Sequence, residues 1–261
     1  MRRGNLFWGF VLVVLGVLFF LQNSGVINDV FGWFLPLFLI LLGGWVLMAR
    51  SWPQPQGIQE DFTVGLQGAA QLSLKLEHGV GAMQLRGGAP VGAAVTGTKA
   101  SGVEVKDRLN GDQLKVQIEA GLSMVPFVGP DGGVWRFWVT DQIPLTLDVE
   151  AGATDLDFDL NDLKVSFMKV EMGASTLKIR LPMNAGHTRL EIESGAATLD
   201  LSVPQGVAAR LELHQSASSF GIDQSRFPMQ TEHLYQSVDY ETAANKVEIK
   251  LNGGANSVKV W

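Results

Sequence analysis

Between Leu147 and Val203 one short pattern occurs three times: Leu-x-Val-Glu-x-Gly-Ala-x-x-Leu-x-Phe, then Met-x-Val-Glu-x-Gly-Ala-x-x-Leu-x-Ile, then Leu-x-Ile-Glu-x-Gly-Ala-x-x-Leu-x-Leu. Its glycines, Gly152, Gly173 and Gly195, lie 21 and 22 residues apart. A fixed period of about 20 to 25 residues that carries two short alternating runs restricts the chain to a stacked β-repeat.

With the glycine as position zero, the template is apolar at −5 and −3, glutamate at −2, small or apolar at +1, and apolar at +4 and +6. Four further segments fit it, around Gly79, Gly121, Ser216 and Gly254, with His214 and Asn252 replacing the glutamate in the last two. In the copy at Gly121 the second run is read as Val125 and Phe127. Alternation at period two sends the template residues to one face and their neighbours to the other, so each copy predicts two short strands joined at a bend. Glycine at the bend is expected to supply a φ that other residues reach only at a cost. The wide gap between Gly79 and Gly121 leaves room for a degenerate copy around Val95 to Val105.

A β-sandwich also alternates, so the outward columns provide the test. Position −4 reads Asp148, Lys169, Glu191 and position +5 reads Asp157, Lys178, Asp200. Stacked in register about 4.8 Å apart, both columns alternate in sign, and opposite charges facing each other across strands contribute about 0.2–1 kcal/mol each. The −2 column, Glu150, Glu171, Glu193, opposes stacking by about 1 kcal/mol per neighbour in water. The solenoid is favoured over the sandwich.

The excess of apolar residues, 46% of the chain beside only 18% charged, is concentrated in the first fifty residues. Leu6–Leu21 and Val30–Ala49 are apolar runs separated by a short polar loop. They predict a two-helix transmembrane hairpin over residues 1–50, with helices at about 6–21 and 30–49. Arg2, Arg3 and Arg50 flank the runs and the loop holds no Lys or Arg, which puts both termini in the cytoplasm of a multi-pass protein of the cell membrane. Residues 51–59, with Pro53 and Pro55, form a linker, and 60–261 the β-repeat domain, of about seven 21–22-residue repeats.

Residues 53–261 hold 17 of the 20 Lys and Arg and 25 of the 26 Asp and Glu, a net charge of −8 without a basic cluster, which excludes nucleic acid as a partner. The chain has no cysteine, which removes disulfides and thiolate metal sites. His78, His187, His214 and His233 fall at different phases of the repeat and do not form a zinc or catalytic set. Asp155, Asp157 and Asp159 alternate with apolar residues as on a strand face and lack the glycine and distal glutamate of a calcium loop. The glutamate column itself is expected to be a solvated face. No catalytic, cofactor-binding or metal-ligating residue is assigned. One candidate interaction patch remains, Trp135, Phe137 and Trp138, whose alternative is a strand packed on the core. Residues 129–140 and 226–245 read as insertions, and Trp261 as a cover for the last layer.

The start Arg2-Arg3-Gly4-Asn5-Leu6-Phe7-Trp8-Gly9, the two apolar runs and the Gly-Ala-x-x-Leu-x-Leu tail together resemble bacterial LiaF-like membrane proteins, with a LiaI/LiaF-like transmembrane region ahead of a toast-rack or adhesin-type β domain. The resemblance implies a non-enzymatic, membrane-anchored protein-interaction module that regulates a cell-envelope stress response, its partners being the lipid bilayer and a membrane sensor kinase or other envelope protein. The alternative is a structural scaffold or adhesin-like solenoid that self-associates.

Overall fold

The computed structural model describes residues 3–25, 29–30, 32, 34–40, 59–100, 103–120, 134–215 and 219–261. They fall in two units, one of helix and one of sheet, divided between Pro55 and Gln56. The helical unit contains α1, Arg3–Asn23, and a second helical stretch described at residues 30, 32 and 34–40.

The expected transmembrane hairpin is not found: among the described residues no helix is long and apolar enough to cross a membrane. The unbroken apolar part of α1, Leu6–Leu21, covers about 24 Å, short of a hydrocarbon core of about 30 Å. The described part of the second stretch is shorter still. Its expected continuation over 41–49 and the linker up to residue 58 lie outside the described residues. The multi-pass placement with both termini in the cytoplasm rested on that hairpin and falls with it.

The sheet unit is built on long parallel strands: β2 (Gln71–Gly87), β7 (Leu145–Asp159), β8 (Val165–Arg180), β9 (His187–Ser202) and β14 (Lys246–Val260). They pair side by side in that order and in register, so equivalent template positions stack: Leu76, Val149, Val170, Ile192 and Leu251 form one column of fully buried side chains. Each strand bends midway. In β9 the buried positions are even up to Ser194 and odd from Ala197, with Gly195 and Ala196 both exposed between them. The change of parity makes each strand two arms that share one core.

Two more layers complete the stack, each divided into separate strands. On one side β5 (Gln113–Ala120) continues the first arm and β6 (Val134–Val139) the second, both parallel to β2. On the other, β10 (Ala208–Gln215) and β11 (Ser219–Ile222) flank β14 in the same way. Seven layers result, in the order of copies 2, 1, 3, 4, 5, 7, 6. The first two and last two are exchanged relative to the chain, which explains the long gaps in the repeat.

Those gaps hold covering strands. β4 (Val103–Asn110) lies antiparallel on β5, β3 (Ala93–Ala100) on β6 and β1 (Gln59–Gly65) on β3. No degenerate copy exists around Val95 to Val105, because these strands run against the stack. Beyond β10 come β13 (Leu234–Gln236) and β12 (Met229–Thr231). The 226–245 insertion is therefore a cap, anchored by buried Phe227, Tyr235 and Tyr240.

The bend glycines are present for space rather than for φ. None of Gly152, Gly173, Gly195 and Gly254 has a left-handed φ. A methyl group on Gly152 would sit 2.4 Å from the carbonyl oxygen of Gly79, and one on Gly254 2.7 Å from that of Gly195. Consecutive layers approach backbone to backbone at the corner: a Cβ collides with the layer before it at Gly152 and Gly254 and is tightly placed, at 3.1 and 3.2 Å, at Gly173 and Gly195.

Candidate functional site

The aromatic run takes a different role from the expected patch. Met83 pairs with Trp135 and Leu85 with Phe137, so these aromatics occupy template positions +4 and +6 of the layer that begins with β5. They are fully buried, and only Trp138, facing outward, is half-buried. Trp135 and Phe137 are thus core residues, not a contact patch. The second arm expected at Val125 and Phe127 starts ten residues later, and those two lie outside the described residues.

Burial of the run creates a polar corner that the template did not show. Positions −1 and +2 also point inward, and there the core contains His78, Thr154, Ser175, Ser194 and Asn256, all at least nine-tenths buried. Ser175 Oγ donates to the Gly152 carbonyl at 2.9 Å and accepts the Thr154 amide at 3.1 Å. Asn256 Oδ1 accepts from the Ala197 amide at 2.7 Å and from Ser194 Oγ at 3.2 Å. These bonds satisfy amides that the bend takes out of the ladder. At the end of the row, His78 packs edge-on against Trp135 with ring centroids 4.2 Å apart, and its Nδ1 is 3.4 Å from Thr154 Oγ1. Nε2 of His78 and Nε1 of Trp135 have no hydrogen-bond partner among the described residues. Burial of the ring lowers the His78 pKa to about 4, so the residue is neutral at physiological pH.

Outside the first arm, Glu119, Glu77, Glu150, Glu171 and Glu193 stand on five successive layers. Cations of neighbouring columns offset their repulsion. Lys75 Nζ lies 2.9 Å from Glu77 and 2.8 Å from Glu150, and Lys169 pairs with Glu171. Hydrogen bonds to Glu150 and Glu77 raise the Lys75 pKa well above its ordinary value, and Glu171 raises that of Lys169. Gln117 Nε2 donates to both Glu77 and Glu119, and Lys106 reaches Glu119 from β4. The −4 column alternates over six layers as Lys75, Asp148, Lys169, Glu191, Lys250 and Glu212. Burial pushes the Asp148 carboxyl up, against the pull of Lys75 beside it.

Two open grooves cross the layers, one on each side of the Gly-Ala corner. The larger, about 840 Å³, is lined by Glu77, Glu150, Glu171 and Glu193 together with the backbone of Gly79 and Gly152. The other, about 600 Å³, is lined by small residues such as Ala153, Ala174 and Ala196. The carboxylates stand in a line instead of converging, and among the described residues no group of three or more His, Cys, Asp or Glu could hold a metal ion. His187 lies 3.8 Å from Glu248, while His214 and His233 have ring centroids 6.3 Å apart at the capped end, so the four histidines are not brought together. Asp155, Asp157 and Asp159 all lie on β7, on the face opposite the buried Leu156 and Phe158.

A stack of bent parallel strands, capped at its ends and carrying ordered outward columns, defines a non-globular repeat scaffold of the β-solenoid class. Residues 53–202 match the family described as the N-terminal domain of toast_rack, DUF2154, and the chain belongs to that family. Comparison with curated proteins gives no match. Among solved structures, a protein of Clostridium sporogenes ATCC 15579 described as a "putative cell adhesion protein" superposes with a TM-score of 0.69 at 18% identity, over 78% of this chain and 100% of that one. A Bacteroides fragilis NCTC 9343 protein described as a "putative adhesin" matches with a TM-score of 0.24 at 9% identity, over 80% of this chain and 99% of that one. At these identities the Clostridium likeness establishes the fold.

Proposed function

We propose that the chain is a non-enzymatic, adhesin-like interaction module that binds a protein of the bacterial envelope and through that contact regulates a cell-envelope stress response. The observation that carries this reading is the glutamate groove. Glu77, Glu150, Glu171 and Glu193 repeat at the layer spacing of about 4.8 Å along an open trough whose floor is exposed glycine backbone. Such a trough accepts an extended segment, presents acceptors at regular intervals and is held rigid by the layers beneath it. Lys75 and Lys169 bias the row without cancelling it, favouring a partner segment of mixed sequence with basic residues over a purely cationic one. The resemblance of the Gly-Ala-x-x-Leu-x-Leu tail to the toast-rack β domain of LiaF-like proteins supports a sensor kinase or another envelope protein as that partner.

The test is site-directed photocrosslinking in native cells, with the crosslinker at Glu150 or Glu193. Capture of the same protein from both groove positions and not from Lys178 on the other arm is expected. Loss of that selectivity, or capture from Glu150 unchanged when Glu77, Glu171 and Glu193 are replaced by Gln, refutes the groove. One observation favours a scaffold as a second reading. Strand β11 pairs only with β14 among the described residues, and exposed Phe220 lies on it, leaving an edge open to another copy. Concentration-dependent filaments abolished by Phe220→Lys would support that reading.

A further inference from the structure

The outward face of the second arm carries a column that the glutamate groove does not share. At template position +7 the successive layers present Trp138, Arg86, Asp159, Arg180 and Ser202. Trp261 continues the column, because its amide donates to the Leu201 carbonyl and its carbonyl accepts the Val203 amide, which places it beside Ser202. The column thus sets Trp138 and Trp261 on either side of Arg86, Asp159, Arg180 and Ser202, whose donors and acceptors alternate, and Asp223 follows beyond Trp261.

Trp261 is held as a platform. Its Nε1 donates to Asp200 Oδ1 at 2.7 Å, Lys259 Nζ lies 5.7 Å from the ring centroid, and about half of the residue (49%) remains open to solvent. Beside it is a depression of about 250 Å³ lined by Asp159, Lys178, Arg180, Asp200 and Ser202. Arg180 Nη1 is 3.9 Å from Asp159, a contact too loose to use up the guanidinium's five donors.

We propose that this face is a carbohydrate-binding site, with Trp261 as the stacking residue and Arg180, Asp159 and Ser202 as hydroxyl partners. A pyranose has an apolar C–H face, which an aromatic ring covers, and a rim of hydroxyls that both donate and accept. Alternating carboxylates and cations answer such a rim from either side. They do not suit a phosphate or a polycation, each of which requires a cluster of one sign. An oriented, pre-organised indole also limits the ordering cost on binding. The proposal is independent of the glutamate groove, which lies on the other arm.

The experiment follows the Trp indole N–H resonances of the whole chain by NMR during titration with chitotetraose, cellotetraose, maltotetraose and a mannan oligomer. The Trp261 signal is assigned by its absence in Trp261→Phe. At least one glycan is expected to shift that signal saturably while buried Trp135 stays still. By isothermal titration calorimetry with the glycan that shifts the signal, Trp261→Ala should weaken binding about tenfold, the equivalent of one lost stacking contact. Arg180→Ala should weaken it with the indole in place, and the unchanged melting temperature of both variants excludes unfolding. No shift with any of the four glycans, equal affinity in Trp261→Ala, or a Trp261 shift produced by inorganic phosphate or oligolysine in their place overturns the proposal.

Discussion

Lowering the pH should weaken the sheet unit through one histidine, and the size of the effect follows from its environment. His78 is 3% exposed, meets Trp135 edge-on and has its Nε2 without a partner, so no group nearby rewards a second proton. The folded pKa of about 4 lies below the ordinary 6.5. Between those values the unfolded chain binds a proton that the folded chain refuses. Stability is therefore complete above the unfolded pKa and declines as pH falls through the window toward the folded one. Integrated over that window, the loss relative to neutral pH is about 2 kcal/mol near pH 5 and about 3 kcal/mol near pH 4. Carboxylates titrate in the same range, so the quantity to measure is a difference between proteins. His78→Phe keeps a ring against Trp135 and removes the titration. Urea unfolding of both proteins at about pH 7 and about pH 5 should show the variant losing about 2 kcal/mol less than the parent. Parallel losses in the two proteins would falsify the assignment of a buried neutral His78.

The corner glycines differ in how closely the preceding layer approaches. Gly152→Ala, with 2.4 Å to a carbonyl oxygen, should cost about 3 kcal/mol or more, and Gly173→Ala, with 3.1 Å, clearly less; thermal unfolding of the two variants checks the order. Lys75→Met removes the cation shared by Glu77 and Glu150 and should destabilise by about 1 kcal/mol, the exposed setting discounting the ion pairs, with the cost shrinking at high salt. Leu199→Ala empties a fully buried position in a middle layer and should cost about 2–5 kcal/mol by urea titration, while leaving the outward columns unchanged.

The repeat was legible because its signals are local. Apolar residues at −5, −3, +4 and +6 are the ones the layers bury, save in the uncovered β11, where Phe220 at +4 is exposed, and the −4 and +5 charges do stand in alternating columns. What the template lacked at −1 and +2 was hidden by chemistry: His78, Thr154 and Ser175 read as surface residues, yet they are buried because the corner leaves backbone groups that need polar partners. The spectrum of the aromatic run was equally ambiguous, since Val-Trp-Arg-Phe-Trp fits either a patch or an inward arm. Pairing decides between them, and pairing with β2 is not encoded in spacing once ten residues intervene. The helical front misled for a different reason. Hydropathy alone scored Leu6–Leu21 as a span, although a run of that length is short for a bilayer. The Trp261 platform depends on a column that only register reveals, as its members are separated by 21 to 59 residues.

The exchanged layers at both ends bear directly on where recognition can occur. A solenoid that simply stopped would leave the flat edges of two long arms ready to pair with any other strand. Here the chain places copy 2 outside copy 1 and copy 6 outside copy 7, which divides each terminal layer into two short strands and frees the intervening segments to fold back across them. β4 covers one arm with Glu104, Lys106, Asp107 and Arg108, and β1 forms the outer edge of the other side with Glu60 and Asp61, charges that discourage further pairing. At the opposite end β13 and β12 cover β10, leaving β11 as the uncovered second-arm edge among the described residues. With the ends largely closed, the surfaces that repeat without interruption are the two outward faces, one lined by glutamates beside the corner and the other carrying Trp261. Ligand specificity in such a frame is set by which side chain occupies each outward column, and a change of partner requires no change in the core.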